Sequence, residues 1–177
     1  MVETRTHRHI SRSRKKGRVP LQNLRTSEVV RTIVDHPRRL GELLSLLDDS
    51  DRVLRGRAAT TLARLAESHP GRLVRSVERL RDSLSDDSAF VRWHLVYTLG
   101  RMGGRFPLRA PRFLPALVAR LEDDNRIVRV FASRALRSIA LRRPAIVQKT
   151  FESAKHEIPP SVARVLKSSG QKIRKRG

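Results

Sequence analysis

The sequence predicts an all-α protein in which helical hairpins stack into a right-handed superhelix, or solenoid. Two observations support this fold class: segments of the chain superpose without gaps at a 37-residue spacing, and apolar residues within each segment recur at helical intervals. The three aligned segments are LDDSDRVLRGRAATTLARLA (47–66), LSDDSAFVRWHLVYTLGRMG (84–103) and LEDDNRIVRVFASRALRSIA (121–140). A constant period of this length is typical of repeat proteins, whose units bury their apolar faces only by stacking on their neighbours.

Each unit is expected to contain a first helix, a turn and a second helix. A cluster of Asp, Ser and Asn between the two helices supplies turn and N-cap side chains. The second helix has apolar residues at positions 54, 58, 61/62 and 65 of the first unit, an interval typical of one helix face. Gly103-Gly104 is interpreted as a turn that ends the second of these helices. Prolines recur with the same period near the starts of first helices, at Pro70, Pro107 and Pro144, and Pro37 aligns with Pro111.

The periodicity predicts a solenoid over residues 21–163. Its repeats are expected at 37–69, 70–106 and 107–143, with a half-repeat at 144–163. A capping helix is expected at 26–36 and a short basic helix at 161–168. Residues 1–20 and 164–177 are strongly basic and poor in apolar residues, and we expect them to be disordered arms, at least at their extremities.

The repeats resemble those of the HEAT family, within the wider armadillo/HEAT group of superhelices. The resemblance depends on FLPALVARLEDDNRIVRVFASRALRSIA (113–140) and its two partners, including Pro115 in the first helix and an acid six residues before an arginine. It implies that the second helices line the concave side. It also implies that the acid and the arginine form a hydrogen-bonded ladder between adjacent repeats: Asp49, Arg55, Asp86, Arg92, Asp123 and Arg129.

The charge balance indicates a polyanionic partner. Lys and Arg number 39 against 17 Asp and Glu, a formal net charge of +22, and the two arms hold seven and six of the basic residues. Such a surplus favours DNA, RNA or an anionic surface. The chain has no cysteine, which excludes disulfides and thiolate metal sites, and no apolar run long enough to span a membrane. An intracellular location is therefore expected, cytoplasmic or associated with the nucleoid or chromatin.

The candidate binding site lies on the exposed positions of the second helices. Trp93 and Tyr97, the only Trp and Tyr of the chain, are four residues apart and therefore share a helix face. Two interpretations stay open: the rings stack on nucleic-acid bases, or Trp93 packs against the neighbouring helix. The expected nucleic-acid contacts also include arginines of the repeats (Arg64, Arg101, Arg105, Arg109, Arg112, Arg134, Arg137) and basic residues of the arms (Arg14, Lys15, Lys16, Arg18, Lys172, Arg174, Lys175, Arg176).

No catalytic, metal-binding or cofactor-binding motif is present in the sequence, so we expect neither an enzyme nor a cofactor. HEAT-like alkylpurine DNA glycosylases are an alternative, because they combine aromatic residues with a carboxylate in a basic groove; here only Glu67 lies near the equivalent face. A HEAT protein of the bilin-lyase type is a further alternative, although no residue marks a pigment pocket. The sequence therefore predicts a non-enzymatic module that binds nucleic acid, and the alternative is a scaffold that docks an acidic protein.

Overall fold

The computed structural model describes the backbone of residues 19–174 and the side chains as far as residue 169. Within this range every regular element is helical, which confirms the predicted all-α class. The α-helices are α1 Thr26–Asp35, α2 Leu40–Ser45, α3 Arg52–Ser68, α4 Val77–Asp82, α5 Ala89–Arg105, α6 Leu114–Ala119, α7 Arg126–Ala140, α8 Pro144–Ala154 and α9 Pro160–Arg174. Short 3-10 helices connect them at Leu21–Asn23, Pro37–Arg39, Leu46–Asp48, Pro70–Ser76, Ser83–Ser85, Pro107–Arg112 and Arg120–Glu122.

The helices form two layers of a solenoid. The long helices α3, α5 and α7 lie side by side, with α5 packed against both of its neighbours. The short helices α2, α4 and α6, each flanked by 3-10 turns, form the other layer. Helix α1 packs on α3 at one end of the array, and α8 and α9 pack on α6 and α7 at the other end.

Proline shapes the layer of short helices. Pro37, Pro70, Pro107 and Pro144 each stand at the start of a helical segment, where a missing N–H group leaves no hydrogen bond unmade. Pro37 and Pro111 each stand three residues before a short α-helix, which begins at Leu40 and at Leu114, so the structure keeps the register that aligns them. Pro37 opens a 3-10 helix of 3 residues, whereas Pro70 opens one of 7 residues.

The core consists of rows of equivalent residues from successive repeats. The aligned Leu62, Leu99 and Leu136 are completely buried, as are their neighbours one helical turn further along the chain. Burying a leucine side chain contributes about 1.5–3 kcal/mol, so these rows supply much of the interaction between repeats. The 37-residue spacing therefore predicted the residues on which neighbouring repeats pack.

Helix α5 does not end at Gly103-Gly104, so the predicted turn is wrong. The helix continues to Arg105, and its glycines face α7. A Cβ atom on Gly100 would lie 2.6 Å from the Cβ of Ala135, and one on Gly103 would lie 2.5 Å from the Cδ1 of Ile139. These glycines therefore allow α5 and α7 to approach more closely than residues with side chains would permit.

The expected boundary between residues 163 and 164 falls inside α9. Val162 and Val165 are both buried in the common core, and Leu166 packs against it. The apolar residues of this segment lie three or four positions apart, which places them on one helix face. The short basic helix expected at 161–168 is part of α9, which continues to Arg174.

Candidate interaction face

The predicted binding positions lie on one surface, formed by α3, α5 and α7 on the side away from the short helices. We call this surface the inner face. Arg64, Arg101, Arg134 and Arg137 come from these three helices, and all four are exposed to solvent. The repeat spacing places Arg64 and Arg101 at equivalent positions, so that basic side chains follow one another from helix to helix.

The centre of the inner face is an aromatic cluster of Phe90, Trp93, His94, Tyr97 and Phe131. The ring of Trp93 is stacked on His94, with centroids 3.5 Å apart, and lies 5.0 Å from the ring of Phe131. Trp93 is half-buried and contacts the core. These contacts favour the packing interpretation of Trp93, and stacking on a nucleic-acid base stays a prediction.

Two polar side chains of the cluster have internal partners. The Tyr97 hydroxyl donates a hydrogen bond of 2.6 Å to Oε1 of Glu67 on α3. Burial, followed by this hydrogen bond, raises the pKa of the phenol above its ordinary range. His94 is buried, with Nδ1 2.7 Å from the carbonyl oxygen of Phe90, and burial lowers the pKa of its imidazole. The imidazole is therefore neutral at pH 7, and the aromatic cluster carries no positive charge of its own.

Two adjoining grooves flank this cluster and share Tyr97 and Phe131. The groove between α3 and α5 has a volume of about 260 Å³ and includes Arg64 in its wall. The groove between α5 and α7 has a volume of about 180 Å³ and includes Arg101 and Arg134. The Arg134 guanidinium carbon lies 5.5 Å from the centroid of Phe131, within range of a cation–π interaction. An aromatic floor with arginines along its edges suits an anionic ligand that also has an apolar part.

Sequence reasoning missed an exposed apolar row beside these grooves. Val53, Phe90 and Ile127 occupy equivalent positions at the beginnings of α3, α5 and α7, and their exposed fractions are 66%, 50% and 52%. A further groove of about 420 Å³ lies between Val53 and Phe90. The sequence shows an adjacent apolar pair at each of these positions. Neighbouring residues on a helix point about 100° apart, so only one of each pair can face the core.

The ladder connects successive repeats through Arg55 and Arg92, which each bond the acid of the following repeat. Nε of Arg55 donates to Asp86 Oδ2 at 2.8 Å. Arg92 forms a two-bond fork with Asp123, at 2.9 and 2.8 Å. The Nη1 groups of the same arginines donate to backbone carbonyls of their own repeat, including those of Asp49 and Asp86. Arg55 and Arg92 therefore each hold their own turn and the next turn together.

The acids of the ladder also close the turns that precede the long helices. An Oδ1 atom accepts a hydrogen bond from the N–H group two residues later in Asp49, Asp86 and Asp123. Burial alone would raise the pKa of Asp123, but hydrogen bonds from Arg92 and from the Asn125 N–H group outweigh it and lower the pKa. Asp123 is therefore ionised at neutral pH, as an ion pair requires.

The remaining predicted contacts are not gathered on the inner face. Arg105 ends α5, while Arg109 and Arg112 are exposed in the 3-10 helix that follows. Arg112 is paired with Glu78 of the preceding repeat. Six predicted contacts of the arms lie outside the described residues: Arg14, Lys15, Lys16, Arg18, Lys175 and Arg176. The backbone at Lys172 and Arg174 is helical, and their side chains also lie outside the described part.

No group of His, Asp or Glu side chains in the part of the chain that the structure describes is arranged to hold a metal ion. No helix between residues 19 and 174 is both long enough and apolar enough to cross a lipid bilayer.

Comparison with known proteins identifies the family. A sequence model of HEAT repeats matches residues 40–137, which is more than half of the chain. The chain belongs to the HEAT repeat family. A HEAT repeat is a helical hairpin, and the match covers the part of the chain in which α2 to α7 form three such hairpins. The resemblance stated from the aligned segments is confirmed.

Solved structures support the same fold. A designed armadillo repeat protein in complex with the peptide (KR)4 is 16% identical, with a TM-score of 0.60 over 82% of this chain and 69% of that one. An engineered protein is 19% identical, with a TM-score of 0.59 over 89% and 71% of the two chains. A second designed armadillo protein is 18% identical, with a TM-score of 0.58 over 83% and 70%. These likenesses concern the fold of the HEAT array alone. No curated protein sequence matches the chain significantly.

Proposed function

We propose that this HEAT-repeat array is a non-enzymatic protein-interaction module that binds an acidic, partly apolar segment of a partner protein on its inner face. The observation that carries the proposal is a pair of parallel rows on α3, α5 and α7. One row consists of the exposed apolar residues Val53, Phe90 and Ile127, and the other contains the exposed arginines Arg64 and Arg101. An exposed apolar surface with a charged border is typical of a binding site.

The fold is suited to an elongated ligand. The designed armadillo protein with a similar fold is in complex with (KR)4, a basic peptide. Around the aromatic grooves of this chain the charged side chains are mainly arginines, so complementary charge requires an acidic segment. Packed helices lie about 8–10 Å apart, and a peptide in the polyproline II conformation advances about 9 Å per turn of three residues. A ligand with an apolar residue at every third position and acids between would therefore place one apolar side chain at each helix of the row and direct its acids toward the arginines.

Nucleic acid is the second candidate ligand, and the net charge of +22 favours it. In that case the arginines of the inner face and the basic arms would neutralise phosphates of DNA or RNA. The aromatic cluster is less suited to base stacking, because the ring of Trp93 is stacked on His94 and lies against Phe131. Binding would then depend on phosphate contacts and would show little sequence preference.

The experiment uses the full chain and its single tryptophan. Trp93 borders the groove between α3 and α5, so its fluorescence reports binding directly. We expect the peptide (LDE)3 to bind, and (LKR)3 and (LNQ)3 to bind much more weakly. Arg101→Glu and Arg134→Glu should each weaken (LDE)3 binding by roughly tenfold, through one lost attraction and one new repulsion. Arg109→Glu has the same change in charge outside the grooves and should have little effect.

Two results would contradict the protein-interaction proposal. One is equal affinity for (LDE)3 and (LKR)3, and the other is equal loss of affinity in Arg101→Glu and Arg109→Glu. Tighter binding of a nine-nucleotide single strand at physiological salt would favour the nucleic-acid candidate instead. Deleting residues 1–18, which carry seven Lys and Arg, should then reduce the slope of log affinity against log salt.

A further inference from the structure

The Arg–Asp ladder is unfinished at its C-terminal end. Arg55 and Arg92 use Nε and Nη2 to bind carboxylates of the next repeat. Arg129 makes only the bonds to its own turn, in which Nη1 donates to the carbonyl oxygens of Asp123 and Asp124 at 2.7 and 2.9 Å. Within residues 19–169 no carboxylate lies at ion-pair distance from its guanidinium. The carboxylate-binding half of this arginine is therefore unused.

The sequence of the last hairpin explains the missing acid. The 37-residue register that relates Asp86 to Asp123 continues to position 160, where the chain has Pro160. The next position, 161, is a serine, and its hydroxyl is 2.8 Å from that of Ser133. Neither residue carries a negative charge. The arginine is thus retained in the third repeat although the fourth lacks its acidic partner.

Arg129 lines a cavity. The cavity has a volume of about 530 Å³ and lies between the first turns of α7 and the segment that joins α8 to α9. Arg126 and Ser133 supply further hydrogen-bond donors in its wall, and Leu121 and Val130 supply an apolar part. Arg126 is exposed. A site with two arginines, a hydroxyl and an apolar wall is suited to a carboxylate on a short side chain next to an apolar residue.

We infer that this cavity is a second binding site, which accepts an aspartate-bearing turn of a partner protein and so completes the ladder in trans. The ligand is a carboxylate rather than a phosphate, because Arg55 and Arg92 each bind carboxylates with the atoms that Arg129 leaves unused. The site is separate from the inner-face grooves, which are formed by other residues. Its existence therefore does not depend on the proposed function.

The test uses the full chain and a peptide that copies the chain's own ladder turn, acetyl-LDDSD-amide (47–51). Binding is followed through the side-chain Nε–H resonances of the arginines. We expect a saturable shift of the Arg129 resonance with this peptide and none with acetyl-LNNSN-amide. Arg129→Lys, in which binding is followed through the Arg126 resonance, keeps the charge but loses the fork and should weaken binding at least tenfold, roughly the effect of one charge-assisted hydrogen bond. The exposed Arg126→Gln should weaken it several-fold without affecting the fold.

Three controls decide between the alternatives. Arg101→Glu, which alters the inner face, should leave the shift of the Arg129 resonance unchanged; an equal loss in this variant would overturn the assignment of a separate site. Inorganic phosphate at the same concentration should compete poorly, and equal competition would show a general anion site instead. Glu157 borders the cavity and could close it from within. If Glu157→Gln moves the Arg129 resonance and lowers the melting temperature, the site is already occupied and the inference is wrong.

Discussion

Replacing Gly100 with alanine tests the close approach of α5 and α7. In an unobstructed helix the change would stabilise the protein by about 1 kcal/mol, because alanine loses less backbone freedom than glycine. Here the added Cβ would lie 2.6 Å from the Cβ of Ala135 and 3.0 Å from its Cα. The Cα belongs to the backbone of a packed helix and cannot rotate away. Overpacking of this kind costs about 1–3 kcal/mol, so we expect a net destabilisation of up to about 2 kcal/mol.

Gly41→Ala is the matched control for this substitution. Gly41 lies in α2, and no atom would be within 4 Å of an added Cβ, so only the helix-propensity gain of up to about 1 kcal/mol remains. The two variants should thus differ by about 1–3 kcal/mol, or roughly 2–12 °C in melting temperature for a chain of this size. Thermal unfolding followed by circular dichroism measures the difference. Equal stabilisation by both substitutions would refute the close contact between α5 and α7.

Two further predictions concern ionisable groups. Folding lowers the pKa of the Asp123 carboxyl. The contribution of Asp123 to stability is therefore complete at a pH above its pKa in the unfolded chain, about 4, and is lost as the pH falls through its pKa in the folded protein. Asp123→Asn should therefore weaken the fall in unfolding free energy that occurs at acid pH. At neutral pH it should cost about 3 kcal/mol of stability, because Arg92 stays buried without its partner. The control Asp124→Asn, at an exposed position, should cost less than about 1 kcal/mol. Tyr97 is the only tyrosine of the chain, so a spectrophotometric pH titration reports the pKa of this one phenol. Because the hydrogen bond to Glu67 helps to raise that pKa, Glu67→Gln should bring it closer to the ordinary value of about 10. An unchanged titration curve would mean that the Tyr97–Glu67 hydrogen bond does not form in solution.

The repeat spacing predicted much of the fold because burial repeats with the sequence. Leu62, Leu99 and Leu136 align at 37-residue intervals, and all three are buried. Gly103 shows the limit of such reasoning. A glycine pair near a helix end resembles a C-cap, but the reason for these glycines is the neighbouring helix, which no local pattern records. The burial of Val162 and Val165 in the common core likewise depends on packing partners far away in the sequence.

The candidate site was less predictable than the fold. Shared helix faces were sufficient to bring Trp93, Tyr97, Arg101 and Arg134 to one surface, since their spacing is a property of the sequence. Which side chains pack against each aromatic ring depends instead on tertiary contacts, which the spacing of residues in the sequence does not give. Phe131 was not among the predicted site residues, although it lies between the two grooves and contacts both Trp93 and Tyr97. Similarly, an arginine without its acid becomes evident only when the hydrogen bonds of each repeat are compared.

Asp86 and Asp123 of the ladder each stabilise both their own turn and the junction with the preceding repeat, and this determines where the array opens. In Asp86 and Asp123 one carboxylate oxygen closes the turn of its own repeat, while the group also binds the arginine of the repeat before it. A turn cannot loosen without weakening its junction with the preceding hairpin, so neighbouring hairpins melt together more readily than singly. Asp49 closes its turn without an arginine from a preceding repeat. The junction with the last hairpin likewise has no Arg–Asp pair. Opening fluctuations are therefore cheapest at the two ends of the array, and the two central junctions hold it together longest.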